Sequence, residues 1–369
     1  MRPSLAIALL LLAIPIHGFA QNTVDGSITH DGMQRTYLLY VPENYTGDTA
    51  LPLVLNYHGF TSSAGVQMAL SNFQQIADTA GFILVCPQGT LLFGLSHWNV
   101  GGWTVGSSTD DVGFTDHLID SLAAEYNIDT SRIYSTGFSN GGFMSFLLAC
   151  QLSDRIAAIA SVSGSMTPET YSGCSSLRPM PILQIHGTSD DVIPYGGLSY
   201  TRPVGEVIDY WVAHNDCDDP AIITPLPDVF PGDGSTVEQY AHLDGTDGVT
   251  VEHLKIIGGG HDWPGAEGNM DISASEEIWR FFSRFDIEGL IEPSCCSIRG
   301  DINHDGSGPD ISDLVFLVAY MFQGGAEPPC MEEADINGDG IEIPDIADLV
   351  YLVSYMFSGG PAPGPCGQV

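Results

Sequence analysis

The sequence Gly137-Phe138-Ser139-Asn140-Gly141 lies between an apolar, strand-like run at 132–136 and a helix-like run at 143–149. A Gly-x-Ser-x-Gly pentapeptide between a strand and a helix is typical of a nucleophile elbow, a sharp turn that holds its serine in a strained backbone conformation. Glycine is expected on both sides because a larger side chain would collide with the adjoining strand or helix. The stretch therefore predicts that the hydroxyl of Ser139 points into solvent at the end of a strand.

A serine hydroxyl is a weak nucleophile until a base takes its proton, so an acid and a histidine are expected downstream, in that order. A strand-like run at 181–186 leads into a loop that carries Asp190. A second strand-like run at 249–257 leads into a glycine-rich loop that carries His261. We predict Ser139 as nucleophile, Asp190 as orienting acid and His261 as base.

The tetrahedral intermediate of acyl transfer needs two N–H donors for its oxyanion. An apolar, strand-like run at 51–57 ends in His58-Gly59-Phe60. The N–H of Phe60 and that of Asn140, next to the nucleophile, are the natural pair of donors.

Three neighbouring side chains leave other assignments open. Asp191 is an alternative to Asp190 as the orienting acid. His58 is expected to pack or hydrogen-bond within its own loop. His186 is expected to anchor the loop that follows it rather than to act as a second base.

Six ordered motifs lie between about positions 30 and 285: His58-Gly59, Trp98-Asn99, Asp111-Val-Gly-Phe114, Gly137-Phe-Ser-Asn-Gly-Gly142, His186-Gly-Thr-Ser-Asp190 and Gly259-Gly-His-Asp-Trp-Pro-Gly265. Together they resemble the secreted poly(3-hydroxybutyrate) depolymerase and feruloyl esterase group of carbohydrate esterase family 1. The resemblance implies an α/β-hydrolase fold, with a mostly parallel sheet and helices on both faces, and ester hydrolysis through an acyl-enzyme. It also implies that Trp98 and Trp263 lie near the mouth of the active site as substrate-binding rings, although both could instead be core aromatics.

Composition narrows the class of protein. The chain has 369 residues, of which 44% are hydrophobic, enough for one catalytic domain of the usual size and a smaller second unit. Ten basic residues stand against 46 acidic ones, giving a formal charge of −36. Such a field repels phosphate backbones and anionic membranes, which argues against a partner in nucleic acid or at a lipid surface.

The first twenty residues have the pattern of a secretory signal peptide. A single arginine precedes an apolar run at 5–14, and small residues lead to Ala20. The run is too short to span a membrane. We therefore predict a signal peptide at 1–20, a secreted, extracellular protein, and a hydrolase domain at 21–290.

Eight cysteines in an exported protein are expected to be partly paired. The family resemblance supports a bridge between Cys150 and Cys174. Cys217 is either free or paired with Cys86, and the sequence leaves both open.

The chain changes character after a predicted linker at 291–300. Asp301-Ile-Asn-His-Asp-Gly306 returns as Asp335-Ile-Asn-Gly-Asp-Gly340, and each copy leads into a helix-like stretch. Oxygen ligands at positions one, three and five, with glycine at six, are typical of a calcium-binding loop. The repeat resembles a type I dockerin, which implies a small all-α domain at 301–369 that folds on calcium and commonly attaches enzymes to cohesin partners.

The predicted calcium ligands form two sets: Asp301, Asn303, Asp305 and Asp313 in the first loop, and Asp335, Asn337, Asp339 and Asp348 in the second. Asp310 and Asp345 are the alternatives for the closing acid of each loop. Two disulfide staples are expected to join Cys295 and Cys296 to Cys330 and Cys366 at the repeat ends.

Together these features predict a secreted serine ester hydrolase that needs no cofactor for catalysis and holds structural calcium in its C-terminal domain. Feruloyl or acetyl esters of polysaccharides and hydroxyalkanoate polyesters are the candidate substrates, with a cohesin-type scaffold protein as a partner. The alternatives are a serine peptidase on the same fold and a dockerin-anchored binding module with a degenerate hydrolase body.

Overall fold

The protein, represented by a computed structural model, is described over residues 23–291, 295–339 and 343–366. The predicted signal peptide lies outside these residues. The chain divides into two compact units, with the boundary after Ile291 at the start of the predicted linker. No helix in the described ranges is long and apolar enough to cross a bilayer.

The first unit is built from alternating strands and helices. Its strands are β1 (Thr23–His30), β2 (Met33–Tyr40), β3 (Leu51–Tyr57), β4 (Ile83–Pro87), β5 (Thr90–Leu92), β6 (Leu95–His97), β7 (Ile128–Phe138), β8 (Ala158–Val162), β9 (Ile182–Gly187), β10 (Ile222–Pro225), β11 (Thr236–His242), β12 (Val251–Ile257), β13 (Phe285–Asp286) and β14 (Gly289–Leu290). Its helices are α1 (Ala64–Ser71), α2 (Phe73–Ala80), α3 (Asp111–Glu125), α4 (Asn140–Gln151), α5 (Pro168–Gly173), α6 (Val204–Asn215) and α7 (Ala274–Phe282), with 3₁₀ turns at Gly102–Thr104 and Thr246–Gly248.

A ten-stranded sheet organises this unit, in the order β1-β2-β4-β3-β7-β8-β9-β12-β11-β10. The central strands from β4 to β12 pair in parallel, whereas the two strands at each edge are antiparallel to their neighbours. Parallel strands need crossover helices, which cover the sheet. The expectation of a mostly parallel sheet with helices is confirmed.

Both faces of the sheet are buried. Leu53 and Leu55 of β3 belong to one apolar cluster, and Val54 between them belongs to the other. Helices α3, α4 and α6 contribute to the first cluster, while α1, α2 and α7 contribute to the second. Strands buried on both sides read as continuous apolar runs, and in β8 all five residues are buried.

The second unit contains the helices α8 (Ile311–Gln323), α9 (Met331–Ala334) and α10 (Ile346–Ser358). Helices α8 and α10 are structural repeats, since each begins with an aspartate capping box and ends at a glycine in the left-handed region, Gly324 or Gly359. A small core joins the two copies through Ile302, Leu317, Ala334, Ile336 and Leu352. That this helical unit is a dockerin stays a prediction.

Disulfides join Cys150 to Cys174, Cys295 to Cys330 and Cys296 to Cys366. The predicted bridge in the first unit and the two predicted staples in the second are therefore confirmed. Cys86 and Cys217 are both free, and Cys86 is buried.

The later part of the predicted linker belongs to the second unit. The N–H of Ser297 donates to a carboxylate oxygen of Glu333 at 2.8 Å, and that of Gly300 donates to the carbonyl of Glu333 at 2.7 Å. The guanidinium of Arg299 is buried and donates to the carbonyl of Asp335 at 2.6 Å. Residues 295–300 are therefore packed against the repeat and belong to the second unit.

Candidate active site

The segments that carry the predicted catalytic residues follow the carboxyl ends of central strands of the sheet. Strands β3, β7, β9 and β12 run in parallel, directly or through shared neighbours, so their carboxyl ends lie on the same side. The loops that follow these ends carry Phe60, Ser139, Asp190 and His261, respectively. Parallel α/β sheets bind their ligands at the carboxyl ends of their strands.

Ser139 occupies the turn between β7 and α4 with φ 53° and ψ −115°, a strained conformation for a residue with a side chain. A Cβ atom at Gly141 would lie 2.0 Å from the carbonyl oxygen of Tyr57, and one at Gly137 would lie 2.6 Å from it. Glycine is thus required because α4 and β7 press against the end of β3. Ser139 is 8% exposed, and its hydroxyl keeps some access to solvent without a hydrogen-bond partner among the described residues.

His261 and Asp190, 71 positions apart, are in direct contact. The Nδ1 atom of His261 lies 2.8 Å from Oδ2 of Asp190. The other carboxylate oxygen of Asp190 accepts the N–H groups of Val192 and Ile193 at 2.9 and 2.8 Å. Asp191 is exposed. The structure therefore pairs His261 with Asp190 rather than with the alternative acid.

The environment of Asp190 keeps its carboxylate ionised. Burial raises its pKa, but hydrogen bonds from His186 and His261, and the charge of His261, outweigh burial and hold the pKa well below its usual range. A carboxylate fixed in this way orients the imidazole and stabilises the imidazolium that forms when it accepts a proton.

His261 also lies beside the elbow. Its ring centroid is 4.9 Å from that of Phe138, the residue before Ser139. No hydrogen bond joins the Ser139 hydroxyl to His261 within the described ranges. The predicted base and the predicted nucleophile therefore both lie next to Phe138. In unliganded enzymes the hydrogen bond between a base and a nucleophile is commonly long.

The two predicted oxyanion donors are both unpaired. The N–H groups of Phe60 and Asn140 have no hydrogen-bond partner among the residues that the structure describes. Asn140 is the first residue of α4, whose N-terminus has no side-chain cap. Unpaired amides at a helix N-terminus favour a negative charge.

Trp98 and Trp263 are buried in the interior. The indole N–H of Trp98 donates to the carbonyl of His58 at 2.9 Å, and that of Trp263 donates to the hydroxyl of Ser275 at 3.1 Å. Both rings are essentially inaccessible to solvent. Neither offers a face to a substrate in this structure, so here both act as core aromatics, and the prediction of substrate-binding rings gains no support.

A third tryptophan, which the sequence did not point to, lies beside Phe60, one of the two predicted oxyanion donors. Trp103 is partly exposed, and its ring packs edge-on against Phe60 at 5.4 Å and against Phe143 at 5.9 Å. The signal that could have identified it is Gly101-Gly102-Trp103, a flexible pair of glycines before an aromatic residue in the loop between β6 and α3.

The two histidines expected to be structural do make structural contacts. His58 is buried, its Nδ1 lies 2.7 Å from the carbonyl of Gly59, and its Nε2 accepts the N–H of Gly89 at 2.9 Å. Burial lowers the pKa of His58 to about 4, so the ring is neutral at pH 7. His186 donates from Nε2 to the carbonyl of Ile193 at 2.8 Å and thereby anchors the acid loop.

The predicted calcium ligands lie in two loops of the second unit with similar local contacts. In the first loop the buried Asp301 accepts the N–H groups of Asp305 and Gly306 at 2.9 and 2.8 Å. Asp313 accepts the N–H of Asn303 at 3.2 Å, and in the second loop Asp348 accepts that of Asn337 at 3.2 Å.

The alternative closing acids have another role. Asp310 and Asp345 are N-cap residues whose carboxylates accept the N–H groups of Ser312 and Ala347. Asp313 and Asp348 are buried against the loops and are better placed. In the described part of either loop no three carboxylates come within 4.8 Å of one another. The predicted ligands therefore lie in the same loops without forming a complete coordination shell in the described residues.

Comparisons with known proteins agree with this architecture. A family model described as Phospholipase/Carboxylesterase matches residues 110–205, which include Ser139 and Asp190. An acetyl xylan esterase from Aspergillus awamori has the same fold, with a TM-score of 0.52 and 16% identity over 70% of this chain and 99% of that one.

Curated relatives are esterases. The chain is 30% identical over 272 residues to the bifunctional acetylxylan esterase/xylanase XynS20E of Neocallimastix patriciarum, and 34% identical over 265 residues to feruloyl esterase B of Piromyces equi. These matches cover 74% and 69% of this chain but only 36% and 46% of the relatives.

A third relative is matched over most of its length. Feruloyl esterase D of Neurospora crassa is 30% identical over 271 residues, which cover 69% of this chain and 83% of that protein. With the parallel sheet and the elbow already described, this match shows that the chain belongs to the α/β-hydrolase family of carboxylic ester hydrolases that includes these feruloyl esterases.

Proposed function

We propose that this carboxylic ester hydrolase removes feruloyl or acetyl groups from polysaccharides through an acyl-enzyme on Ser139. The observation that carries the proposal is the 2.8 Å contact between His261 and Asp190 beside the elbow of Ser139. Supporting the substrate class, the relatives just described are named for feruloyl and acetylxylan esters.

In this mechanism each side chain has one task. Asp190 holds His261 with its proton on Nδ1, which leaves Nε2 free to take the proton of Ser139. The serine oxygen then attacks the ester carbonyl, and the N–H groups of Phe60 and Asn140 receive the oxyanion. His261 returns the proton to the leaving alcohol, and water releases the acid by the same steps in reverse order.

Replacement of the nucleophile tests the mechanism. We expect Ser139→Ala to lower kcat for p-nitrophenyl acetate by at least about 10⁴-fold and to abolish labelling by a fluorophosphonate probe, because no other nucleophile is activated there. Near-normal turnover by this variant would show that another residue performs the chemistry.

The acyl group needs a separate test. Release of ferulate from wheat bran and of acetate from acetylated xylan are expected to exceed clearing of a poly(3-hydroxybutyrate) suspension, measured with equal amounts of enzyme. Clearing of the polyester without release of either acid would assign the enzyme to polyester hydrolysis instead.

The second unit is proposed to bind structural calcium through the eight predicted ligands. An all-oxygen set of three carboxylates and one amide per loop suits this ion. Burial, with repulsion from neighbouring aspartates, raises the pKa of Asp313 and of Asp348. A bound cation would offset that repulsion.

We also propose that the second unit attaches the exported enzyme to a cohesin-type protein. Matching apolar residues are exposed on the two repeated helices: Ile311, Val315 and Phe322 on α8, and Ile346, Val350 and Phe357 on α10. Exposed apolar side chains in repeated register favour a protein partner. Calorimetric titration of the calcium-loaded chain with a type I cohesin is expected to show binding that Val315→Asp/Val350→Asp weakens.

A further inference from the structure

The two proposed oxyanion donors belong to different segments of the chain. Phe60 follows β3, and Asn140 begins α4. Their N–H groups can share one oxygen atom only if these segments keep a fixed spacing, because oxyanion donors act at about 2.7–3.1 Å. A residue that contacts both segments would set that spacing.

Trp98 makes these contacts. Its N–H donates to Oδ1 of Asn140 at 2.8 Å, and its carbonyl accepts Nδ2 of Asn140 at 3.2 Å. Its indole N–H donates to the carbonyl of His58 at 2.9 Å, two residues before Phe60. We infer that Trp98 is a positioning residue that sets the oxyanion hole by fastening Asn140 to the loop of Phe60. This inference rests on the proposed function.

The surroundings of Trp98 favour a single arrangement. The indole packs edge-on against Tyr57 at 4.9 Å, and its ring lies at a tilt 5.0 Å from that of His58. Trp98, His58 and Asn140 are all fully buried, so their polar groups have no water to replace a lost partner. The strand before Trp98 holds the same loop, since the N–H of Thr61 donates to the carbonyl of Ser96 at 2.8 Å.

The contacts with Trp98 involve the side chain of Asn140 and not its main-chain N–H. Both polar atoms of the Asn140 side chain are used by the main chain of Trp98, whereas the N–H of Asn140 has no partner in the described ranges. The side chain of Asn140 is therefore used to fix its position, and its main-chain N–H makes no hydrogen bond within the described ranges. A displacement of 1 Å in such a site lowers rates by about 10²-fold.

The decisive variant is Trp98→Phe, which keeps an aromatic ring against Tyr57 and His58 and removes the indole donor. We expect kcat for p-nitrophenyl acetate to fall roughly tenfold or more while KM changes less than about twofold, because the lost interaction acts mainly in the transition state. The inhibition constant of a trifluoromethyl ketone, whose hemiketal carries an oxyanion, is expected to rise by a similar factor.

Trp211→Phe is the matched control. Trp211 lies on α6, is fully buried, and its indole N–H has no partner among the described residues. The Trp211→Phe variant therefore loses the same ring atoms as Trp98→Phe without losing a hydrogen bond. We expect its kcat to change less than about twofold. If both variants lower Tm equally and neither changes kcat or inhibitor affinity, Trp98 is a packing residue and the inference is wrong.

Asn140→Asp tests the same contact from the Asn140 side chain. It also provides a second test of the inference if Trp98→Phe fails to fold. The aspartate still accepts the N–H of Trp98, but its second oxygen replaces the N–H donor and repels the carbonyl oxygen of Trp98. We therefore expect kcat to fall without a matching change in KM. Effects of the two substitutions that multiply in the double variant would contradict action on one shared geometry. Turnover by Ser139→Ala would instead overturn the proposed function, whatever Trp98→Phe does.

Discussion

Asp190 is buried and is held by four neighbouring groups. Main-chain N–H groups of Val192 and Ile193 reach one oxygen, while ring nitrogens of His186 and His261 lie 3.3 and 2.8 Å from the other. A carboxylate so surrounded cannot rotate without breaking several contacts. It therefore fixes both the orientation and the tautomer of His261.

Replacing this carboxylate by its amide tests that role. Asp190→Asn preserves shape but allows the wrong tautomer of His261, so kcat for p-nitrophenyl acetate is expected to fall about 10⁴-fold. Asp191→Asn is the matched control, since Asp191 is exposed, and its kcat is expected to stay within about twofold of the native value. A larger loss in the control would make Asp191 the acid.

Buried neutral histidines predict how stability depends on pH. His253 is buried, lies 3.0 Å from both the hydroxyl of Tyr195 and the carbonyl of Gln184, and burial lowers its pKa to about 3. An unfolded histidine titrates near 6.5, so below that pH the unfolded state binds more protons. The stabilisation is complete above about pH 6.5 and is lost progressively as the pH falls toward 3.

Urea unfolding at pH 7.5 and pH 5 measures this effect. We expect the free energy of unfolding to decrease at the lower pH, and His253→Asn to show a shallower dependence by about 1.4 kcal/mol per pH unit below 6.5. Trp98, Trp103, Trp211, Trp263 and Trp279 are the five tryptophans, and all precede Ile291, so their fluorescence follows the first unit alone. Equal slopes for both proteins would refute the assignment.

At the scale of elements, the bridge between Cys150 and Cys174 ties the end of α4 to the residue after α5. It closes a loop of 24 positions around β8. A crosslink of this span removes conformational freedom from the unfolded chain and stabilises by about 3 kcal/mol.

Cys150→Ala/Cys174→Ala is therefore expected to lower the free energy of unfolding by about 3 kcal/mol, measured by urea titration of tryptophan fluorescence. Catalytic parameters should change little, because Ser139 lies at the opposite end of α4. Cys217→Ala, which removes a free thiol, is the control. No change in midpoint for the double variant would show that the bridge does not stabilise the first unit.

At the scale of the whole molecule, we expect the two units to respond differently to the removal of calcium. Chelation is expected to abolish or lower a calorimetric transition of the second unit, because its core is small and the proposed calcium ions would contribute to its folding. The tryptophan transition and p-nitrophenyl acetate turnover should remain, since the proposed chemistry uses only side chains of the first unit. An unchanged calorimetric profile, with and without calcium, would refute the calcium proposal.

Much of this architecture was predictable from local sequence. The elbow, the strand-like runs before the acid and histidine loops, and the duplicated loops each depend on a few adjacent residues, and neighbours in the chain decide turns and periodicity. The pairing of Cys150 with Cys174 could be expected from resemblance.

Tertiary structure alone decided the rest. It paired His261 with Asp190 rather than Asp191, buried Trp98 and Trp263, and placed Trp103 beside Phe60. It also assigned residues 295–300 to the second unit. These outcomes depend on contacts between segments tens of residues apart and on which face of the sheet each ring meets. Local patterns set the elements, whereas burial and side-chain partners are properties of the packed molecule.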